Sequence, residues 1–322
     1  MSIRRGSGLG PLGFGGLVYE PGPVLERPSA WASGAGLLAP SRPQRRSVED
    51  IERDPATWLQ ALFPQTFTAP PAPYHTEFWR WLWPVGAVGL GPDGNNTYVM
   101  VLARGWAKST HVEAACIALA GHSKRRYGWF ISSRQSQADD HLSTVSDRLA
   151  SGKVGEWYPE LAAAKLQTVG DRSRQLGWRR RRIWTEDGLV LDALGLDSAI
   201  RGAKLGDQRP DFMILDDIDE ELDAEGTIER KTLALTRKLI PAAAPGCVFI
   251  VAQNLVHPNG LVTRLVDGRA TYFGSRTVSG PHKAIDGLTY EGTGTEAIIT
   301  GGVPTWEFMG LDVCQQKIRD AG

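Results

Sequence analysis

The spacing of hydrophobic and polar positions predicts strands that alternate with helices along most of the chain. Residues 97–103 are an apolar, β-branched run typical of a buried parallel strand, and from Lys108 the apolar positions recur at helical spacing. A second buried strand is predicted at Tyr127–Ser132, followed by an exit loop at 133–137 and a helix at 138–149. This succession predicts an α/β fold in which helices flank a mainly parallel central sheet.

The pattern continues toward the C-terminus and weakens after residue 267. The predicted elements are a short strand at 212–215, a helix at about 228–240, a strand at 248–252, a short strand at 270–275 and a helix that starts near Met309. A glycine-rich stretch at 287–302 precedes the last helix. A β-hairpin is predicted within 171–203, with its turn at 186–188.

Two helices are predicted before the first strand. One starts at a Ser47 cap and runs over 47–64, with acidic residues in its first turn, and an aromatic helix follows at 74–82. Residues 1–46 are rich in Gly, Pro, Ser and Arg and have no sustained period, so we expect a mobile arm there. The predicted organisation is an arm at 1–46 and one domain at 47–322.

Composition narrows the class of protein. The chain has 322 residues, of which 42% are hydrophobic and 22% charged. Its formal net charge is zero, which argues against a protein that coats nucleic acid through an overall positive charge. Its three scattered cysteines do not suit a zinc cage or a disulfide framework. No apolar run approaches the roughly 20 residues that span a bilayer, and the first residues lack an apolar signal segment. We therefore expect an intracellular protein with no membrane association.

The turn ARGWAKST joins the first strand to the helix at Lys108. A strand, a tight turn and Lys-Ser at a helix start are the architecture of a phosphate-binding loop, in which backbone N–H groups hold phosphates. Lys108 would then reach the β- and γ-phosphates, and the Ser109 hydroxyl would bind Mg²⁺. The strict motif has glycines where this chain has Leu102 and Ala107, so an ordinary strand-turn-helix corner with a solvated lysine is the alternative.

An independent signal lies about a hundred residues later, in RPDFMILDDIDEE. The strand at 212–215 runs into Asp216 and Asp217, and the carboxyl end of a central parallel strand is where such sheets bind ligands. One carboxylate can hold the Mg²⁺ of a nucleotide and its neighbour can orient the attacking water. Two aspartates can also merely cap the next helix, but their conjunction with the Lys-Ser turn favours a nucleotide site. Gln253, at the end of the strand at 248–252, could sense the γ-phosphate.

Two further segments have open interpretations. The run Arg179–Arg182 is predicted on a strand, so two of its side chains would point to each face, toward DNA or a neighbouring subunit, or simply into solvent. The segment 67–75 precedes the phosphate loop, where it could contact an adenine ring or only dock a helix on the sheet edge.

Five stretches together resemble the ATPase domain of the large terminase subunit of tailed bacteriophages. The more specific ones place an arginine in a glycine-poor phosphate loop and an Arg-Pro-Asp lead before the acidic strand end. The stretches are FPQTFTAPPAPYHTEFWRWL, ARGWAKST, IRGAKLGDQRPDFMILDDIDEE, VAQNLVHPNGLVTRL and TWEFMGLDVCQQKIRDAG. The resemblance implies a RecA-like (ASCE) P-loop NTPase. In the family a nuclease domain follows the ATPase, and we expect this chain to be the motor domain alone.

The resemblance also implies roles for individual residues. Lys108 and Ser109 match the Walker A lysine and the Mg²⁺ hydroxyl, and Arg104 matches the loop arginine that acts on the γ-phosphate. Asp216 matches the Walker B carboxylate. The family commonly has a catalytic Glu at the next position, where this chain has Asp217, so Asp217 is the first choice for the base and Asp219 or Glu220 the substitutes. The residues expected to contact ATP are Arg104, Gly105, Trp106, Ala107, Lys108, Ser109, Thr110 and Gln253.

For the protein as a whole, the resemblance implies an ATP-driven motor that moves double-stranded viral DNA into a procapsid. Its cofactors would be ATP and Mg²⁺, and its partners would be duplex DNA, the portal protein, the small terminase subunit and further copies of the chain in a ring. The expected location is the host cytoplasm. Two alternatives stay open, a helicase-like or remodelling ATPase on nucleic acid, and a non-hydrolysing nucleotide-binding assembly module.

Overall fold

The computed structural model describes residues 47–88, 94–169, 172–175, 178–196, 205 and 207–320. The expected arm at 1–46 lies outside these ranges. Of the helices within them, none combines the length and the hydropathy needed to cross a bilayer.

Strands occupy eleven segments of the described chain. They are β1 Thr97–Val101, β2 Tyr127–Ser132, β3 Leu166–Val169, β4 Arg172–Gln175, β5 Arg182–Trp184, β6 Val190–Gly195, β7 Phe212–Asp216, β8 Val248–Gln253, β9 Thr277–Ser279, β10 Ile285–Glu291 and β11 Ile298–Pro304. Seven of them form one sheet in the order β5-β6-β2-β7-β8-β1-β9, while β3 pairs with β4 and β10 with β11. Every neighbouring pair of the large sheet is parallel except β5 with β6.

Helices cover both faces of this sheet. They are α1 Val48–Ile51, α2 Pro55–Leu62, α3 Pro73–Val88, α4 Lys108–Gly121, α5 Gln135–Leu149, α6 Gly152–Trp157, α7 Pro159–Ala162, α8 Glu225–Ala234, α9 Ile240–Ala242, α10 Leu261–Val266 and α11 Leu311–Asp320, with a π-helical segment Leu235–Leu239 between α8 and α9. Alternate side chains of each central strand pack on opposite faces, as the pleat requires. One face holds α2 to α6 and the other holds α8 and α10.

The strand order identifies the fold class. The strand before the Lys-Ser turn, β1, and the strand that ends in the acidic pair, β7, are separated by one inserted strand, β8. This order is that of RecA-like (ASCE) P-loop NTPases, so the predicted fold class is confirmed. Because β1, β2, β7 and β8 are parallel, their carboxyl ends lie at one edge of the sheet.

Some predicted bounds were wrong for local reasons. The helix expected over 47–64 is split into α1 and α2, because Asp54 caps a new helix at the backbone N–H of Thr57 and Pro55 occupies its first turn. The expected exit loop at 133–137 is shorter, since α5 already begins at Gln135. The glycine-rich stretch at 287–302 contributes most of the β10–β11 hairpin.

Two strand assignments also need correction. Residues 270–275 form turns, with Gly274 at a left-handed φ of 70°, and the strand that pairs with β1 is β9, a few residues later. Of the basic run 179–182, only Arg182 lies in a strand, so the expected alternation of two side chains to each face is wrong. Arg182 instead binds the buried Asp192 carboxylate through two nitrogens, at 2.5 and 2.7 Å.

Candidate functional site

Backbone hydrogen bonds hold together the loops that follow β1, β2, β7 and β8. Leu102 donates to the Gln253 carbonyl at 3.2 Å, and Asp217 donates to the Ala252 carbonyl at 3.0 Å. The Asp217 carbonyl in turn accepts from the Ser133 N–H at 3.3 Å. The turn before α4 and the acidic end of β7 therefore belong to one continuous site.

The turn before α4 leaves the start of that helix open for an anion. Ala107 occupies the N-cap position with a left-handed φ of 57°, and no side chain caps the helix. Uncapped N–H groups at the start of a 14-residue helix attract anions. Gly105 is also left-handed, at φ 85°. Alanine pays about 1–2 kcal/mol for this conformation, which explains why glycine is usual at position 107 in such loops.

Two buried aromatic side chains, His75 and Trp106, lie at this turn and fix its backbone. The Trp106 ring is buried, and the Trp106 carbonyl accepts a hydrogen bond from His75 Nε2 at 3.1 Å, since His75 Nδ1 accepts from the Ala72 N–H. Trp106 N–H donates to the Ala103 carbonyl. The predicted contact of Trp106 with the nucleotide is therefore limited to the backbone of the turn.

Lys108 is bound to the acidic strand end. Its ammonium lies 2.7 Å from Asp217 Oδ2, and its side chain is only 8% exposed, whereas that of Asp217 is 42% exposed. The two residues are 109 positions apart in the chain. The structure thus brings together the lysine and the carboxylate that the sequence singled out.

Asp216 is a fully buried carboxylate, and neither of its oxygens has a hydrogen-bond partner. The pKa of Asp216 is raised to about 6: burial is the largest cause and Asp217 adds to it, while Lys108, His141 and the Ser109 hydroxyl act in the opposite direction. His141 Nε2 lies 3.4 Å from Asp216 Oδ2. Apart from this ion pair with His141, the carboxylate has no hydrogen bond to offset its burial, which makes it a candidate ligand for a cation.

The donor set suits Mg²⁺ bound together with a phosphate. Within the described ranges no group of three or more His, Cys, Asp or Glu residues could hold a metal ion. Magnesium in phosphoryl-transfer sites usually takes one or two protein ligands and completes its shell with phosphate oxygens and water. The Ser109 hydroxyl and the Asp216 carboxylate are the two candidate ligands.

The backbone at Asp217 explains the shorter acid at this position. Its φ is 48°, a left-handed conformation that Asp and Asn adopt more readily than other non-glycine residues. The Lys231 ammonium fixes the neighbouring loop by binding Ser133 Oγ at 2.8 Å, the Ile218 carbonyl at 2.9 Å and the Asp223 carboxylate. Asp217 therefore lies at the open side of the site, where its left-handed main chain and its ion pair with Lys108 hold it.

The two substitute bases are engaged elsewhere. Both carboxylate oxygens of Asp219 accept backbone N–H groups at the start of α10, from Leu261 and Val262, each at 2.8 Å. Glu220 is bound by two nitrogens of Arg134, at 2.8 and 2.5 Å, which lowers its pKa. Neither side chain is free to orient water.

The Gln253 side chain is buried and hydrogen-bonded, whereas the Arg104 side chain is exposed to solvent. The Gln253 side chain is buried and exchanges hydrogen bonds with the backbone of Asp219, at 3.1 and 3.3 Å, so it joins β8 to the acidic loop. Arg104 is exposed, and it has no ion-pair or hydrogen-bond partner in the part of the chain that the structure describes. Thr110, one turn into α4, is half-buried, and its carbonyl accepts from Arg148.

A mostly apolar cavity of about 410 Å³ lies beside the turn before α4. Its walls include Phe67, Thr68, Trp79, Ala107 and His111. Burial holds the pKa of His111 well below its usual value, so its ring is neutral. Trp79 Nε1 donates to His111 Nδ1 at 2.8 Å, which leaves the proton of that ring on Nε2. The segment 67–75 borders this cavity.

Several residues near the site escaped sequence reasoning. Glu113 on α4 binds His141 at 2.8 Å and Arg148 at 2.9 Å, and thereby links α5 to Asp216. Lys231 on α8 is equally hidden in the sequence, because no neighbouring residue marks it. No local motif marks these residues, since their partners are distant in the chain.

Comparisons with known proteins identify structural neighbours. No protein-family model matches the sequence, and no curated protein matches it. The chain resembles the large terminase of bacteriophage HK97, with 14% identity and a TM-score of 0.40 over 68% of this chain and 39% of that protein.

It also resembles the ATPase domain of the Thermus phage P74-26 large terminase. The match to a point variant of that domain has 14% identity and a TM-score of 0.36, over 60% of this chain and 68% of the domain structure. A second structure of the domain matches with 15% identity and a TM-score of 0.32, over 52% of this chain and 63% of its own length.

Proposed function

We propose that this chain is a Mg²⁺-dependent ATPase. The observation that carries the proposal is the meeting, at one sheet edge, of the uncapped α4 N-terminus, Lys108 and the Asp216–Asp217 pair. In the structure, Lys108 neutralises Asp217. A triphosphate in the loop would offer Lys108 a more highly charged anion, and the Asp217 carboxylate would be released.

These residues would then promote the in-line attack of water on the γ-phosphate. The released Asp217, on the open side of the site, orients the water and accepts its proton. Lys108 and the N–H groups of the α4 start stabilise the negative charge that develops on the phosphate oxygens. Arg104, free in solvent, adds a charge that is worth roughly 10³ to 10⁵ in rate when an arginine fills this role. Mg²⁺, held by Ser109 and Asp216, would offset the charge of the β- and γ-phosphates.

The cavity beside the loop supports a nucleoside triphosphate over inorganic polyphosphate. Its apolar walls, which include the partly exposed Phe67 ring, offer a stacking surface, and the buried His75 and His111 rings, stacked on each other, are neutral. Burial lowers the pKa of His75 to about 4. We expect this cavity to take the adenine ring.

The motor function rests on the sequence resemblance to terminase ATPase domains. On that basis the chain would move duplex DNA into a procapsid as a ring of copies, with the portal protein and the small terminase subunit as partners. It would act in the host cytoplasm.

Displacement of a triplex-forming oligonucleotide from duplex DNA, measured with ATP and Mg²⁺, tests this function. A duplex motor displaces the third strand and leaves a tailed duplex intact, and Lys108→Ala abolishes the displacement. Separation of the tailed duplex would instead indicate a helicase-like ATPase. Nucleotide binding without phosphate release, at high protein concentration and with DNA, would indicate a non-hydrolysing assembly module.

A further inference from the structure

The last helix of the described chain packs near the phosphate loop. The Gln315 side chain fixes α11 to the β10–β11 hairpin, by accepting from the Ile299 N–H at 2.7 Å and donating to the Ala297 carbonyl at 2.8 Å. Just before α11, Trp306 Nε1 donates to the Pro70 carbonyl at 2.8 Å, in the segment that borders the base cavity. Cys314 on the same helix is buried. These contacts give α11 a defined place beside the candidate nucleotide site.

One side chain of α11 reaches the loop itself. A Cβ built on Gly105 would lie 2.6 Å from Lys317 Nζ and 3.2 Å from Lys317 Cε. The ammonium therefore stands against the backbone of the loop, three residues before Lys108. A residue with a side chain at position 105 would push this lysine away, and the left-handed φ of Gly105 disfavours such a residue independently.

This second lysine has no anion to neutralise it. In the described part of the chain Lys317 has neither an ion-pair nor a hydrogen-bond partner, in contrast to Lys108, which is bound to Asp217. Arg104, next to Gly105, is likewise free of partners in the described residues. Two unpaired cations at one loop, beside uncapped helix N–H groups, create a local positive potential that favours a polyanion.

We propose that Lys317 is a second phosphate-binding lysine, supplied by the C-terminal helix of the same chain, and that it contacts the terminal phosphate of a bound nucleoside triphosphate. The proposal rests on the ATPase function proposed above. The lysine would bind as a point charge, through a charge-assisted hydrogen bond to a γ-phosphate oxygen. Hydrolysis and release of phosphate would remove this contact, so that the bond between α11 and the nucleotide exists only with a triphosphate.

The test compares the affinities of two nucleotides for three variants of the whole chain. Equilibrium dissociation constants for ATPγS and for ADP, each with Mg²⁺ at one fixed ionic strength, are measured for the wild type, Lys317→Met and Lys317→Arg. The matched control is Arg319→Met, which removes one positive charge from an exposed position of the same helix. Thermal melts check folding, and the exposed positions predict stability changes within about 0.5 kcal/mol.

We expect Lys317→Met to weaken ATPγS binding about tenfold and ADP binding less than twofold, and Lys317→Arg to stay within about threefold of the wild type for both nucleotides. Arg319→Met should bind both nucleotides like the wild type. The inference is overturned if Lys317→Met binds ATPγS as the wild type does, or if it weakens both nucleotides equally, while the ATPase proposal then stands. A wild type that binds neither nucleotide would overturn both.

Discussion

Replacement of Asp216 by Asn should stabilise the folded chain at neutral pH while it abolishes ATP hydrolysis. The Asp216 carboxylate is fully buried and lacks hydrogen-bond partners, and its pKa is raised from 3.8 to about 6, with burial as the largest cause. At about 1.4 kcal/mol for each tenfold change in the protonation equilibrium, the charged form costs the folded state about 3 kcal/mol at pH 7.5. The neutral amide avoids this cost but keeps its own need for partners, so we expect a net gain of about 1–3 kcal/mol.

The direction of the pKa shift determines how the stability gain of Asp216→Asn changes with pH. Because the pKa of Asp216 is raised on folding, the folded chain prefers the protonated carboxyl, and the penalty is absent below about pH 4. Wild-type stability is lost as the pH rises through about 6. The advantage of Asp216→Asn should therefore be complete at pH 7.5, smaller near pH 5 and absent at pH 4.

Urea denaturation of the wild type and Asp216→Asn, with EDTA at pH 7.5 and pH 5, measures the free energies of unfolding. Asp219→Asn is the matched control, since Asp219 is also buried but accepts two helix N–H groups. Asparagine keeps one acceptor oxygen but leaves the second helix N–H without a partner, so the control should be destabilised by about 1–3 kcal/mol. An Asp216→Asn protein no more stable than the wild type at pH 7.5 would refute the view that this carboxylate is held at a cost to stability.

Two further substitutions test the backbone geometry of the site and the sheet. Ala107→Gly should raise the free energy of unfolding by about 0.5–1 kcal/mol, because glycine removes the cost of the left-handed N-cap, and a decrease in urea denaturation would contradict the geometry of the turn. Gly128→Ala should destabilise the chain by about 2–3 kcal/mol, because its Cβ would lie 2.1 Å from the Phe212 ring between β2 and β7. Partial rescue of Gly128→Ala by Phe212→Leu is expected in the same assay, and full stability of the single variant would rule out this packing.

The sequence predicted the central elements of the fold because their signals are local. The apolar runs of β1, β2, β7 and β8 are bounded by polar residues, and the change to helical spacing after Lys108 is sharp. The prediction failed where a single residue determines the end of a helix. Asp54 is an example, because its side chain caps the start of a new helix. The edge strand β9 was missed because its three residues gain their partner only when β1 is in place.

Of the candidate site, only the residues placed by the ends of the parallel strands could be predicted from the sequence. Lys108, Asp216 and Asp217 follow strands, so parallel topology alone brings them together. The cavity beside the loop is bordered by the segment 67–75, which the sequence singled out only by its position upstream of the loop. The partners of Glu220 and Gln253, and the approach of Lys317, depend on side-chain contacts between distant segments, which no spacing in the sequence encodes.

Phosphate release from ATP, measured at steady state with Mg²⁺ and duplex DNA for the wild type and Asp217→Asn, tests the central claim most directly. Asparagine keeps the left-handed backbone and the size of the side chain but cannot accept the proton of water. We expect the wild type to turn over ATP and Asp217→Asn to bind it yet lose most of the turnover. A variant that releases phosphate at the wild-type rate would contradict the role of Asp217, and a wild type that neither binds nor hydrolyses ATP would contradict the function itself.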